Sequence, residues 1–175
     1  VGMHAAKSTT TGAYNTAIGR RALEDNTTGG YNTAIGGLAL DSNTTASNNT
    51  AVGYNALTVS TTGYSNVAVG MQALLDCTTG FKLTAVGVNA GQNVTTGDNN
   101  TFVGENAASV LTTGDNNVYL GSNSQASSSN VIREYVLGYN ITGKGGGTAF
   151  IGGASGAYNE ANSSSWSTTS DRRIK

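Results

Sequence analysis

The residues able to do acid–base or metal chemistry are few in this sequence, and they do not converge. The one histidine, His4, has no second His or Cys at ligand spacing, so it reads as a surface residue and not a metal ligand. The acidic residues Glu24, Asp25, Asp41, Asp76, Asp98, Glu105, Asp115, Glu134, Glu160 and Asp171 are scattered, and no pair recommends itself as a glycosidase acid and base. Asp98 and Asp115 each stand in T-G-D-N-N, one above the other in a repeat. They read as corner residues that accept local backbone amides, with a cation held between rungs as the alternative. Cys77 is the single cysteine, so no internal disulfide can form; it reads as a packed or surface thiol, with an inter-chain link as the alternative. No glycine is followed by Lys-Ser or Lys-Thr ahead of a helix, which excludes a phosphate loop. Sequons such as Asn26-Thr27-Thr28 follow from composition. The expectation is a non-enzymatic chain that uses no metal and no cofactor.

What positions these side chains follows from composition and period. The 175 residues suffice for one domain, with 25 Gly, no Pro and 11% charged residues. Low charge argues against a self-repelling disordered chain. A formal net charge of −1 leaves no electrostatic footprint for nucleic acid or an acidic membrane surface. No apolar run is long enough to cross a bilayer, and Val1–Lys7 carries no cleavable signal pattern. Those first residues already read as part of a repeat, as expected for a piece of a longer polypeptide.

Nine glycines, Gly2, Gly19, Gly36, Gly53, Gly70, Gly87, Gly104, Gly121 and Gly138, follow one another at a step of 17 residues without an insertion. Thr-Thr pairs from Thr10-Thr11 to Thr112-Thr113 keep the same step, as does an Asn column, Asn15, Asn32, Asn49, Asn66, Asn100 and Asn117, broken by Leu83. One coil reads T-T-G-x-x-N-T-A-V-G-x-x-A-L-x-x-x. The N-T-A-V segment alternates and ends on a β-branched residue, which suits a short strand. The glycine after it suits a bend with positive φ or a close backbone approach. Gly, Thr and Asn in every coil would lower helix propensity throughout. The period therefore predicts an all-β, parallel β-solenoid of 17-residue coils stacked about 4.8 Å apart, with like residues in ladders.

Two columns predict what shares the interior. The residue before the β-branched one is Ala17, Ala34, Ala51, Ala68 and Ala85, then Phe102 and Tyr119; six residues on stand Leu23, Leu40, Leu57 and Leu74, then Gly91, Ala108 and Gln125. The exchange of large for small suggests two columns facing one another at constant volume. Where Ala85 meets Gly91, the expectation is a local gap or a neighbour filling it. Alternation then turns Thr16 and Ile18 outward. Each coil has little to bury against the entropy of ordering its residues, so the Ile18 column needs another cover. A parallel homotrimer supplies it most simply, with a monomeric solenoid as the alternative.

Y-N-T-A-I-G at 14–19 and 31–36, and N-T-A-V-G-Y-N-A-L at 49–57, resemble the S-V-A-I-G repeats in the heads of trimeric autotransporter adhesins and the repetitive shafts of phage tail fibres. The adhesin resemblance, which covers residues 1 to about 140, implies a left-handed roll within a trimer. The ending Ser170-Asp171-Arg172-Arg173-Ile174-Lys175 resembles the S-D-R-R-L-K opening of the intramolecular chaperone of phage tail fibres and tailspikes. That resemblance implies autocleavage at Ser170–Asp171 with Ser170 as nucleophile and Lys175 assisting proton transfer, in a domain of which only the start is present. The expected organisation is a shaft over 1–140, an irregular cap over 141–169, and the chaperone start over 170–175.

The leading expectation is thus a structural and host-attachment segment of a bacteriophage tail fibre, extracellular and part of the virion. Its partners would be itself, a host cell-surface glycan or protein, and other tail proteins, with no nucleic acid and no membrane insertion. The column after the turn glycine, Arg20, Gly37, Tyr54, Met71, Val88, Glu105, Ser122 and Tyr139, is the most variable and reads as a place for specificity, with an unconstrained surface as the equal alternative. Tyr139, Phe150, Tyr158 and Trp166 are the receptor-contact candidates, because aromatic faces suit sugars; a trimeric plug is the other reading of the cap. The alternatives are a trimeric bacterial adhesin and an ice-binding solenoid. Adjacent Thr-Thr pairs count against the latter, since a strand would point them to opposite faces. A depolymerase would need a catalytic domain upstream.

Overall fold

A computed structural model describes residues 1–152, together with the strands at 157–159 and 167–168. Three-residue strands recur once per coil: Thr16–Ile18 (β1), Thr33–Ile35 (β2), Thr50–Val52 (β3), Val67–Val69 (β4), Thr84–Val86 (β5), Thr101–Val103 (β6), Val118–Leu120 (β7) and Tyr135–Leu137 (β8). Ala149–Ile151 (β9), Ala157–Asn159 (β10) and Ser167–Thr168 (β11) complete the sheet. β1 to β9 pair in parallel and in sequence order, each residue opposite its equivalent one coil on, as Ala34 is opposite Ala51. This is the expected parallel β-solenoid, and among the described residues there is no helix. Parallel stacking continues past residue 140 to β9, whose coil is shorter, and the sheet then closes with antiparallel pairs β9–β10 and β10–β11.

The short strands carry only part of the inter-coil bonding. Outside them Thr27 N–H donates to Thr44 O at 2.8 Å, Leu40 N–H to Ala56 O at 3.1 Å and Leu38 N–H to Arg20 O at 2.9 Å. The chain alternates direction to do this by placing residues at positive φ, including Arg21 at 58°, Leu23 at 57° and Tyr31 at 58°, with equivalents in most later coils. A left-handed leucine costs about 1–2 kcal/mol. Here the conformation lets both the previous and the next coil take its neighbours' amides while the side chain stays in the core.

The two interior columns meet as the volumes predict. Ala34, Ala51, Ala68, Ala85, Phe102 and Tyr119 are buried with Leu23, Leu40, Leu57 and Leu74 in one cluster, while the Ile18 column turns out. At Gly91 the gap is filled by a neighbour. The Phe102 ring of the next coil lies where a Gly91 side chain would go, its Cδ2 only 2.5 Å from a Cβ built there.

The asparagine column is a buried ladder. Asn32 N–H donates to Asn15 Oδ1 at 2.9 Å and Asn49 N–H to Asn32 Oδ1 at 3.0 Å, while Asn49 Nδ2 donates to Gly63 O at 2.8 Å. Each side-chain amide thus satisfies an N–H and a corner carbonyl of the following coil, in a space where water does not reach. Thr27 and Thr78 hydroxyls donate to the equivalent threonine carbonyls one coil on. Leu83 breaks the ladder beside Cys77, which stands where earlier coils have Asn26 and Asn43; the two changes together turn that corner apolar.

Glu134 ends the ladder in the asparagine position. Fully buried, its carboxylate accepts Tyr119 O–H at 2.9 Å, Ser127 N–H at 3.0 Å and Gly145 N–H at 2.7 Å, which pins the loop of the short coil to the shaft. Burial, and next the adjacent carboxylate, push the Tyr119 hydroxyl pKa up, so it remains a donor. Glu134→Ala would orphan these donors and is expected to cost about 3 kcal/mol, read as a lowered urea midpoint, with Glu134→Gln milder.

Candidate functional site

Strand alternation decides which side chains can meet a ligand. Tyr139, in the variable column, is 72% exposed. Phe150 is not available in the same way, which corrects the expectation that its ring face meets a ligand. It occupies the Ala17 position of β9, is 2% exposed inside the core, and has Lys144 Nζ 4.8 Å from its ring centroid. Gly152 carries the signal for this, because Phe150 precedes it by two residues as Ala17 precedes Gly19. Tyr158 lies in β10, opposite Phe150 and Ser167, and its side chain is outside what is described. Trp166, Ser170, Asp171 and Lys175 also lie outside the described residues.

The charged side chains of the first coils form one cluster. His4 Nδ1 lies 3.2 Å and Lys7 Nζ 3.7 Å from Glu24 Oε1, Arg21 bonds Glu24 Oε2, and Arg21 also reaches Asp41 at 3.1 Å. The hydrogen bond from Arg21 holds the Glu24 carboxyl below its ordinary value, whereas burial pushes Asp41 up. The arginine between the carboxylates makes this an ion-pair staple across coils. Asp98 Oδ1 accepts Phe81 N–H at 3.0 Å and Asp115 Oδ1 accepts Asp98 N–H at 2.8 Å, so both act as corner acceptors. Among the described residues no three His, Cys, Asp or Glu converge as for a metal ion.

Cys77 is fully buried, and desolvation pushes its thiol pKa up to about 12. It stays protonated at neutral pH, so the native chain is expected to resist an anionic disulfide reagent and to react once unfolded. Rapid labelling of the folded protein at pH 8 would contradict this.

Two surface features remain. Ile18, Ile35, Val52, Val69, Val86, Val103, Leu120, Leu137 and Ile151 form an aliphatic stripe on the outer face of β1 to β9, with Ile18 at 47% and Val103 at 38% exposed. Among the described residues no other outward column is apolar in every coil. Beside it run Thr16, Thr33, Thr50, Thr84 and Thr101, interrupted by Val67. At another corner aromatic rings stack between coils, Tyr14 on Tyr31 at 5.0 Å and Tyr64 on Phe81 at 4.9 Å. The sequence carried this as aromatic residues recurring at a 17-residue step, Tyr14 with Tyr31 and Tyr64 with Phe81.

No protein-family model matches the chain, and neither a curated protein nor a solved structure is detectably similar to it.

Proposed function

We propose that this chain is a structural and host-attachment segment of a bacteriophage tail fibre, assembled as a parallel homotrimer. The observation that carries the reading is the aliphatic stripe. An outward column held apolar over nine strands, while the column after the turn glycine varies freely, fits a partner of the same length and period. A second and third copy of the chain are that partner, and a threefold arrangement follows the fibrous proteins that the coils resemble. The thin interior supports it, since nearly half of the core residues are alanine and the stripe adds burial only on assembly.

The ending Ser170–Lys175 favours a phage fibre over a bacterial adhesin, because its resemblance is to the chaperone junction of tail fibres and tailspikes. Variable residues such as Arg20, Tyr54, Met71 and Tyr139 on a constant scaffold suit a fibre whose contacts with the host change while its shaft does not. The chain then has no catalysis of its own, and it belongs to the virion, with the host surface and other tail proteins as neighbours. Antibodies to the shaft, applied to purified particles and to cell envelopes from the source culture, test this. Label on particle fibres supports a phage origin, and label confined to envelopes points to the adhesin.

Val69→Asp with Val86→Asp places two carboxylates per chain in the stripe. The prediction is loss of assembly to single chains of 17.6 kDa in native solution, because unpaired charge does not bury. An unchanged assembled mass would remove the stripe from the interface.

One observation favours a second reading. The Thr16 and Ile18 columns share the outward strand face as a regular Thr-x-Ile array, a surface that in a single chain would suit ice. A thermal-hysteresis assay without activity disposes of it.

A further inference from the structure

From Ser42 to Leu75, two whole coils, the chain has no Asp, Glu, Lys, Arg or His. Arg20, Arg21 and Asp41 stand on one side of this belt, and Asp76 and Lys82 on the other. Surfaces of soluble domains ordinarily carry about a quarter or more of their residues as charges. Loss of charge with gain of Tyr and Met marks contact surfaces. The aliphatic stripe runs the whole length of the shaft, so it gives no reason for one stretch to be neutral around its circumference.

Within the belt, Tyr54 and Met71 follow one another in the variable column, 54% and 46% exposed. The Tyr54 ring lies against Gly37 of the preceding coil, where a Cβ would sit 3.4 Å from Cδ2, so the missing side chain leaves a shallow step beside the ring. Tyr14 and Tyr31, like Tyr64 and Phe81, spend ring faces on each other. Among the described residues Tyr54 is in no such stack.

We propose that the Gly37–Tyr54–Met71 step binds an uncharged saccharide of a cell-surface glycan, an inference that rests on the attachment reading above. The apolar C–H face of a sugar ring suits an exposed aromatic with a thioether beside it, and the tyrosine hydroxyl adds a donor and acceptor. The coils of Tyr54 and Met71 offer an anionic glycan no cation, the nearest in their column being Arg20, two coils from Tyr54, whereas a neutral one leaves no charge unpaired there.

The test is retention of the purified chain on immobilised oligosaccharides, neutral (mannan, dextran, galactan and chitin oligomers) and anionic (polysialic acid and alginate). The expected result is binding to a neutral member that does not change with salt. It should weaken about tenfold or more in Tyr54→Ala and in Gly37→Leu, which fills the step, both with unchanged melting, and should persist in Tyr139→Ala. Binding lost in Tyr139→Ala but kept in Tyr54→Ala would overturn the site and leave attachment standing. Binding to anionic members alone would overturn the uncharged class. Retention on no member would overturn the saccharide site. Co-sedimentation with bacterial cells before and after periodate then separates the two readings: binding that survives leaves attachment through another ligand, and none removes both.

Discussion

Gly53→Ala should leave the shaft largely unfolded, with a loss of about 4 kcal/mol or more. Gly53 has φ at 141°, a region closed to alanine, and an added Cβ would lie 2.4 Å from Gly70 O and 2.6 Å from Gly70 C. Both obstacles are backbone. They cannot withdraw without stretching the bond from Gly70 N–H to Val52 O, now 2.8 Å, that joins the two coils at the bend. Strain and clash therefore act together, which places the change in the rare severe class. Gly37→Ala is the control, because φ there is not left-handed and the nearest atom to the new Cβ is a Tyr54 ring carbon at 3.4 Å. Its expected effect is below about 1 kcal/mol. Equal melting of Gly53→Ala and the parent would show that the coils are not as closely stacked as described.

Phe102→Ala is expected to cost about 3–5 kcal/mol, the usual range for deleting a buried ring. The ring is fully buried and occupies the space over Gly91, with Leu74 Cδ2 also 3.0 Å from the position of a Gly91 Cβ. Gly91→Leu alone should be destabilising too, since its side chain would start 2.5 Å from the Phe102 ring. Combined, the two changes restore the Ala-plus-Leu pairing of earlier coils. Gly91 has φ of 59°, close to the 57° of Leu23, so the backbone already accepts leucine's place in the column. The double variant should be more stable than the sum of the singles predicts by about 1–3 kcal/mol, measured by urea denaturation of all four proteins. Simple additivity would mean that the two columns do not share a space.

Much of this was legible because a repeat reads each position several times. Nine aligned glycines gave the coil length, and the alternation of Thr16, Ala17 and Ile18 gave the inward and outward faces. The exchange of Leu for Gly in the column of Leu23, against Ala for Phe in the column of Ala17, gave the facing of the two. What could not be read was the left-handed backbone at Leu23, Leu40, Leu57 and Leu74, because leucine ordinarily avoids it. The hints were Gly91 in that column and the asparagines at Asn48, Asn55, Asn89, Asn99 and Asn106, a residue type that tolerates positive φ. The buried role of Glu134 was hidden because one of its donors, Gly145, lies past Gly138, where the period fails and no other coil has an equivalent. Phe150 was misplaced for the same reason, the short last coil shifting its register by three residues.

The proposed assembly depends on the stripe from Ile18 to Ile151 being covered by other copies of the chain. Light scattering on the purified 175-residue protein in native solution measures that directly. A mass near three times 17.6 kDa is the predicted result. A compact, folded single chain would contradict it, showing that each coil is stable with its aliphatic column open to water.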